Sequence, residues 1–241
     1  SLCTDTGVNL LDPGSTPAEN GQFMLFLSAV IKAVDEYQDL LRLTVASAGN
    51  DHRLGANEAP PAILSVYLGE ELSEVVDALE QNKKYAGKGK QTMKLGVDTL
   101  PELPKDTTDR NRTSPFAFTG NKFEFRMLGS TFSIAGPNII INTIVADALR
   151  EFADELEGAE DFNAALHDLV VRTIRTHKRI LFNGNNYSEE WAQEAERRGL
   201  LNLKNAAEAL PHFAARKNVE LFERNHVFTE REVRSRMEIM L

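Results

Sequence analysis

The sequence predicts an α+β fold, and three features carry the prediction. Residues 114–128 hold two strand-like runs on either side of a TGN turn: Phe116 and Phe118 alternate in the first, and Phe123, Phe125 and Met127 alternate with Lys122, Glu124 and Arg126 in the second. Apolar residues at helical spacing mark residues 17–42 and 62–81, and helical signals dominate from 138 onward. Mixed helix and strand therefore comes first and mostly helix afterwards. That order favours an antiparallel sheet with packed helices, followed by a helical region, over alternating βαβ units. The division expected is residues 1–135 and residues 136–241.

Residues 1–15 are rich in turn formers and predict an extended start. Thr16, Pro17 and Glu19 then form a helix-start signal, with Thr16 as N-cap and Glu19 closing a capping box. Phe23, Phe26, Leu27, Val30, Val34, Tyr37 and Leu41 follow on one face of a helix over 17–42. Residues 43–48, LTVASA, suit a short buried strand. Residues 49–61, GNDHRLGANEAPP, are punctuated by glycine and proline and read as a loop with a possible short strand. Ile63, Leu64, Val66, Tyr67, Leu72, Val75, Val76 and Leu79 predict a helix over 62–81. Residues 82–109 mix glycine, proline and charge without period, which predicts a mobile insertion. Later helices are expected at 138–157, 161–183, 188–198, 205–224 and 229–241. Asp161 and Thr229 serve as N-caps, and Glu232 pairs with Thr229.

The 241 residues are enough for a sizeable core, and a hydrophobic content of 42% with 26% charged residues is ordinary for a globular chain. The net charge of −9 argues against nucleic-acid or anionic-membrane binding, and no apolar run is long enough to span a bilayer. A single cysteine, Cys3, excludes an internal disulfide framework and fits a cytoplasmic location. Sequons at Asn111 and Asn186 are read as chance matches. The chain does not start with Met, and TEREVRSRMEIML is an amphipathic helix with no C-cap, so both ends are expected to be breaks inside a longer protein.

Against this acidic background, RNRTSPFAFTGNKFEFRM gathers Arg110, Arg112, Lys122 and Arg126 around one acid, Glu124. Strand alternation puts Lys122, Glu124 and Arg126 on one face. That face is either a solvated strand with self-paired charges or an anion site. Arginine forks suit phosphate and carboxylate, and a carboxylate among them could hold Mg²⁺ bridging phosphate oxygens. Arg53 and Glu58 share the 49–61 loop, as a weak surface pair or as a substrate loop in which Arg53 takes a carboxylate and Glu58 an amine. The lysine run from Lys83 to Lys94 lacks the spacing of a phosphate-binding loop and reads as a solvated charge run. His167 and His177 read as packing or surface residues on helices.

Together, NDHRLGANEAPPAI and DRNRTSPFAFTGNKFEFRMLGS strongly resemble the catalytic domain of glutamine synthetase, in its long type III class. The 4–42 segment and the helical region look similar too, so the resemblance spans the chain. It implies part of that catalytic domain followed by a helical C-terminal region, and an ATP-dependent ligase that makes glutamine from glutamate and ammonia through a γ-glutamyl phosphate. It also implies Mg²⁺ or Mn²⁺, and a homo-oligomer, a double-ring dodecamer in this class.

Residue by residue, the resemblance assigns Arg53 and Arg126 to the substrate glutamate. Glu58 closes the site and helps bind and deprotonate ammonium. Arg112 meets the transferred phosphoryl group, Lys122 a nucleotide phosphate, and Glu124 a metal ion. Lys122 stands where the commoner bacterial class has arginine, and both motif loops are shorter here. Further metal ligands are expected before residue 1, so the chain alone is expected to be inactive. A ligase joining glutamate to another amine, and an inactive regulatory or scaffold relative, stand as alternatives.

Overall fold

A computed structural model describes residues 1–56, 58–81, 83, 85, 92–93, 103–104 and 113–240. The first helix, α1 (Gly21–Glu36), starts later than Thr16 suggests. Pro17–Glu19 is a single 3₁₀ turn in which Thr16 makes no side-chain cap, and Asn20 instead accepts the Phe23 N–H. Tyr37, at φ −117° and ψ 31°, interrupts the helix, and α2 (Gln38–Leu43) follows directly.

Residues 43–48 form no strand. Val45 is fully buried, as its apolar type demands, but Ser47 caps a new helix, α3 (Ala48–Arg53), by accepting from Asn50 N–H. The predicted loop therefore begins only after Arg53. The single helix expected over 62–81 is also corrected. Val66–Tyr67 is a strand, β1, and α4 (Glu70–Glu80) begins after Gly69, whose φ of +84° turns the chain.

The hairpin lies where alternation puts it. β4 (Phe116–Phe118) pairs antiparallel with β5 (Phe123–Phe125), with Ala117 opposite Glu124. β1 runs parallel to β4, Val66 beside Phe116, so the sheet is mixed, in the order β1-β4-β5. On its other edge β1 meets Leu181, and Phe182 N–H donates to Val66 C=O at 3.0 Å. Flanked on both edges and covered on both faces, β1 can be continuously apolar. Two further short strands, β2 (Thr92–Met93) and β3 (Leu103–Pro104), pair antiparallel; the rest of the expected insertion lies almost wholly outside the described residues.

The helical region follows as α5 (Ala135–Leu156), α6 (Phe162–His177), α7 (Glu189–Arg197), α8 (Ala206–Ala209), α9 (Arg216–Arg224) and α10 (Glu230–Met240). Asp161 caps α6 through Ala164 N–H at 3.1 Å. Thr229 and Glu232 form the expected reciprocal box at the start of α10. α1 packs against both α5 and α6, and one apolar cluster joins Phe23, Leu27 and Ile31 to Ile144, Ile174 and Phe222. Burying side chains of this size stabilises by about 2 kcal/mol each, which fixes α1 as the common support of the helical region and the sheet. Among the described residues, no helix is long and apolar enough to cross a membrane.

Candidate active site

Arg53 is the last residue of α3, where its cation also complements the helix C-terminus. Its guanidinium is aimed by two acceptors. Nε donates to Asn50 Oδ1 at 3.0 Å and Nη2 to the Met127 carbonyl at 2.8 Å. Asn50, nearly fully buried, donates in turn to the carbonyls of Val45 and Met127. One amide thus ties the end of α2, the arginine and the end of the hairpin together.

After Arg53 the chain loops back on itself. Gly55, at φ +78°, donates its N–H toward the carbonyls of Ala59 and Pro60 at 3.1 and 3.0 Å. This closure presents Glu58 on the exposed side of the loop. Across from it, β5 carries Glu124 and leads directly into Arg126. Arg126 Nη2 and Nε donate to Glu124 Oε2 at 3.0 and 3.2 Å, which confirms that the two share a strand face. The Arg126 hydrogen bond holds the Glu124 carboxyl below the usual carboxylate range, aided by Thr119 and by the charge of Lys122. Glu124 is therefore an ionised oxygen donor, with 43% of its side chain exposed.

Arg53, Glu58, Arg126, Thr113, Pro115 and Tyr187 line one cavity of about 130 Å³. The structure thus brings together three of the residues singled out in the sequence, with Glu124 beside them through its ion pair. Lys122 sits exposed before β5, and its carbonyl accepts from Thr119 N–H across the turn. Arg112 lies outside the described residues. Phe123 and Phe125 are only half-buried, whereas Met127 is buried, so the apolar face of β5 is less enclosed than alternation suggests. Among the described residues no three histidine, cysteine or acidic groups converge as a metal site. Glu124 fits the hard-oxygen chemistry of a divalent cation, but a single carboxylate supplies too few ligands to hold one by itself.

Sequence reasoning missed Tyr187, Thr113 and Asn50. Tyr187 precedes Ser188, the N-cap of α7, and its hydroxyl donates to the Glu58 carbonyl at 3.2 Å. Nothing in YSEEW separates that role from an ordinary helix start. Asn186, one of the two sequons, is buried and accepts from Ser65 Oγ at 2.7 Å, which leaves it no room to carry a glycan.

Residues 165–241 match the family model described as glutamine synthetase C-terminal domain. The chain carries a glutamine synthetase C-terminal domain. Over its whole length it is 49% identical to the type-3 glutamine synthetase of Dictyostelium discoideum. It is 48% identical to a glutamine synthetase of Butyrivibrio fibrisolvens and 45% identical to one of Bacteroides fragilis. The chain spans about a third of the length of these relatives, 33–34%. The glutamine synthetase C-terminal domain begins within α6 and includes Tyr187, while Arg53, Glu58 and Arg126 precede the matched residues and fall in the part aligned with the three synthetases. The names of those synthetases favour neither a ligase for another amine nor an inactive scaffold.

Proposed function

We propose that this chain is part of an ATP-dependent glutamate–ammonia ligase that makes glutamine. The observation that carries the reading is the pocket in which two arginines and a glutamate, from the Arg53–Glu58 loop and from the end of the hairpin, meet. Arg53 and Arg126 supply paired cationic forks for the carboxylates of glutamate and for phosphoryl oxygens. Glu58, across the cavity, supplies a carboxylate for ammonium. Beside the pocket, Glu124 would be one ligand of a divalent cation, Mg²⁺ or Mn²⁺, which when bound would neutralise phosphate charge. The remaining ligands are assigned to parts of the enzyme beyond this pocket. Arg112 and Lys122 are assigned to the transferred phosphoryl group and to the nucleotide phosphates.

The chemistry follows from these charges. A γ-carboxylate oxygen of glutamate attacks the terminal phosphorus of ATP, the bond to the bridging oxygen breaks, and ADP leaves. Arg126 and Arg112 balance the charge spread over the phosphoryl oxygens. Glu58 accepts a proton from ammonium, and the freed ammonia attacks the acyl carbon of γ-glutamyl phosphate. Inorganic phosphate leaves with the C–O bond electrons, and loss of a second proton from nitrogen gives glutamine. Arg53 holds the glutamate so that both attacks meet the same carbon–oxygen end. The working form is a homo-oligomer, as a double-ring dodecamer, in the cytoplasm.

The test is glutamine formation by the enzyme carrying this chain, with glutamate, ammonium, ATP and Mg²⁺ or Mn²⁺. Activity is expected, and Glu124→Ala is expected to lower kcat by about 100-fold, the scale of losing a charge-stabilising group. Unchanged activity in that variant removes the metal role, and no glutamine from the unsubstituted enzyme removes the reading. The 241-residue chain by itself is expected to be inactive.

A further inference from the structure

The far wall of the pocket comes from the helical region, by way of residues 181–188. This strap is fixed along its length. Phe182 pairs with Val66 of β1 and stacks on Trp191 of α7 with ring centroids 3.8 Å apart. Asn183 Oδ1 accepts from Leu68 N–H at 3.1 Å. Asn186 accepts from Ser65 Oγ, and its N–H donates to Thr113 Oγ1 at 3.1 Å. Ser188 caps α7 through Trp191 N–H at 3.1 Å. A side chain mounted between these two anchors has little freedom to wander.

Tyr187 is that side chain. Its ring lines the cavity, 45% exposed, and its hydroxyl reaches across to the Glu58 carbonyl. A phenol combines a rigid apolar body with a polar tip, which suits a reach of this kind. The Glu58 loop is otherwise closed at its base by the Gly55 bonds, away from the glutamate itself. We propose that Tyr187 is a positioning residue that tethers Glu58, so that the carboxylate proposed to receive the ammonium proton keeps its place over the pocket. The inference rests on the functional reading above for the meaning of Glu58, but the tether itself does not. Through the strap, the loop is mounted on β1 and α7 and not on α3 alone.

Two measurements on the enzyme carrying this chain test it, using Tyr187→Phe, which keeps the ring and deletes the hydroxyl. The loss of one neutral hydrogen bond is expected to speed amide exchange at Gly55 about fivefold and leave Ile174 in α6 unchanged. The KM for ammonium is expected to rise about fivefold while the KM for ATP stays the same. Unchanged exchange at Gly55 overturns the tether. Faster exchange with an unchanged ammonium KM overturns the positioning role. An unsubstituted enzyme that forms no glutamine overturns the functional reading and with it the role assigned to Glu58, while the exchange result still decides the tether.

Discussion

Asn50 uses both ends of its amide on the frame of the pocket. Its nitrogen donates to Val45 and Met127, and its oxygen receives Arg53 Nε. Replacing it by alanine leaves the Val45 carbonyl without its side-chain donor and leaves Arg53 held by the Met127 carbonyl alone. Asn50→Ala is expected to cost about 2 kcal/mol in urea unfolding, the scale of a buried unsatisfied polar site. It is also expected to raise the glutamate KM more than the ATP KM, because Arg53 loses its aim. A stability loss with unaltered glutamate KM would separate Asn50 from the site. Arg53 and Glu58 were legible as candidates because charged residues on a short glycine-containing loop stand out. Asn50 was not, because a buried asparagine looks like any other until its partners are known. Tyr187 was hidden for a related reason: its partner is a backbone carbonyl 129 residues away, which has no side-chain signature.

At the scale of elements, pattern succeeded where one face met water and failed where both were covered. The hairpin was legible because Lys122, Glu124 and Arg126 alternate with Phe123, Phe125 and Met127. β1 was read as helix because Ile63, Leu64, Val66 and Tyr67 fill every face of a short apolar run, and period cannot separate a buried strand from a buried helix. LTVASA failed in the same way: Val45 is buried, but in a turn between two helices. Capping chemistry was more reliable at α6 and α10, where the cap residue stands immediately before an amphipathic run. α10 offers a direct check. Val233 is its buried residue, with Met237 partly buried against the core, and the Thr229–Glu232 box adds to that packing at the start of the helix. Thr229→Ala is expected to cost about 1 kcal/mol of local stability, seen as faster amide exchange along α10 with α6 unaffected. Equal exchange in both proteins would place the stability of α10 in its packing on residues 210–214 and in Arg236 over the Phe228 ring.

At the scale of the molecule, the helical region is joined to α1 and α2 by buried charge as well as by apolar contact. Asp147 on α5, 3% exposed, accepts from Arg224 of α9 at 2.7 and 2.5 Å, from Asn225 at 2.9 Å and from Arg150 at 3.0 Å. Arg224 also donates to the Tyr37 hydroxyl at 3.0 Å, at the break between α1 and α2. Burial by itself would raise the Asp147 carboxyl, but these hydrogen bonds outweigh it and hold the group at about 2, against an ordinary 3.8. A depressed folded-state value means stability that is present above the unfolded value and lost as pH falls through the folded one. The shift corresponds to about 2 kcal/mol, expected to disappear between about pH 4 and pH 2. Asp147→Asn cannot ionise, so its unfolding free energy should lack this component of the acid slope. At neutral pH the variant should be less stable by about 2 kcal/mol, because the Arg224 cation loses its counter-charge while solvent, reaching about a third of that side chain, screens part of the loss. Urea unfolding of both proteins at intervals from pH 2 to 7 measures the two effects together. Curves for the two proteins that converge toward pH 2 support the ion cluster as the acid-sensitive joint of the fold, and curves that stay parallel throughout place that joint elsewhere.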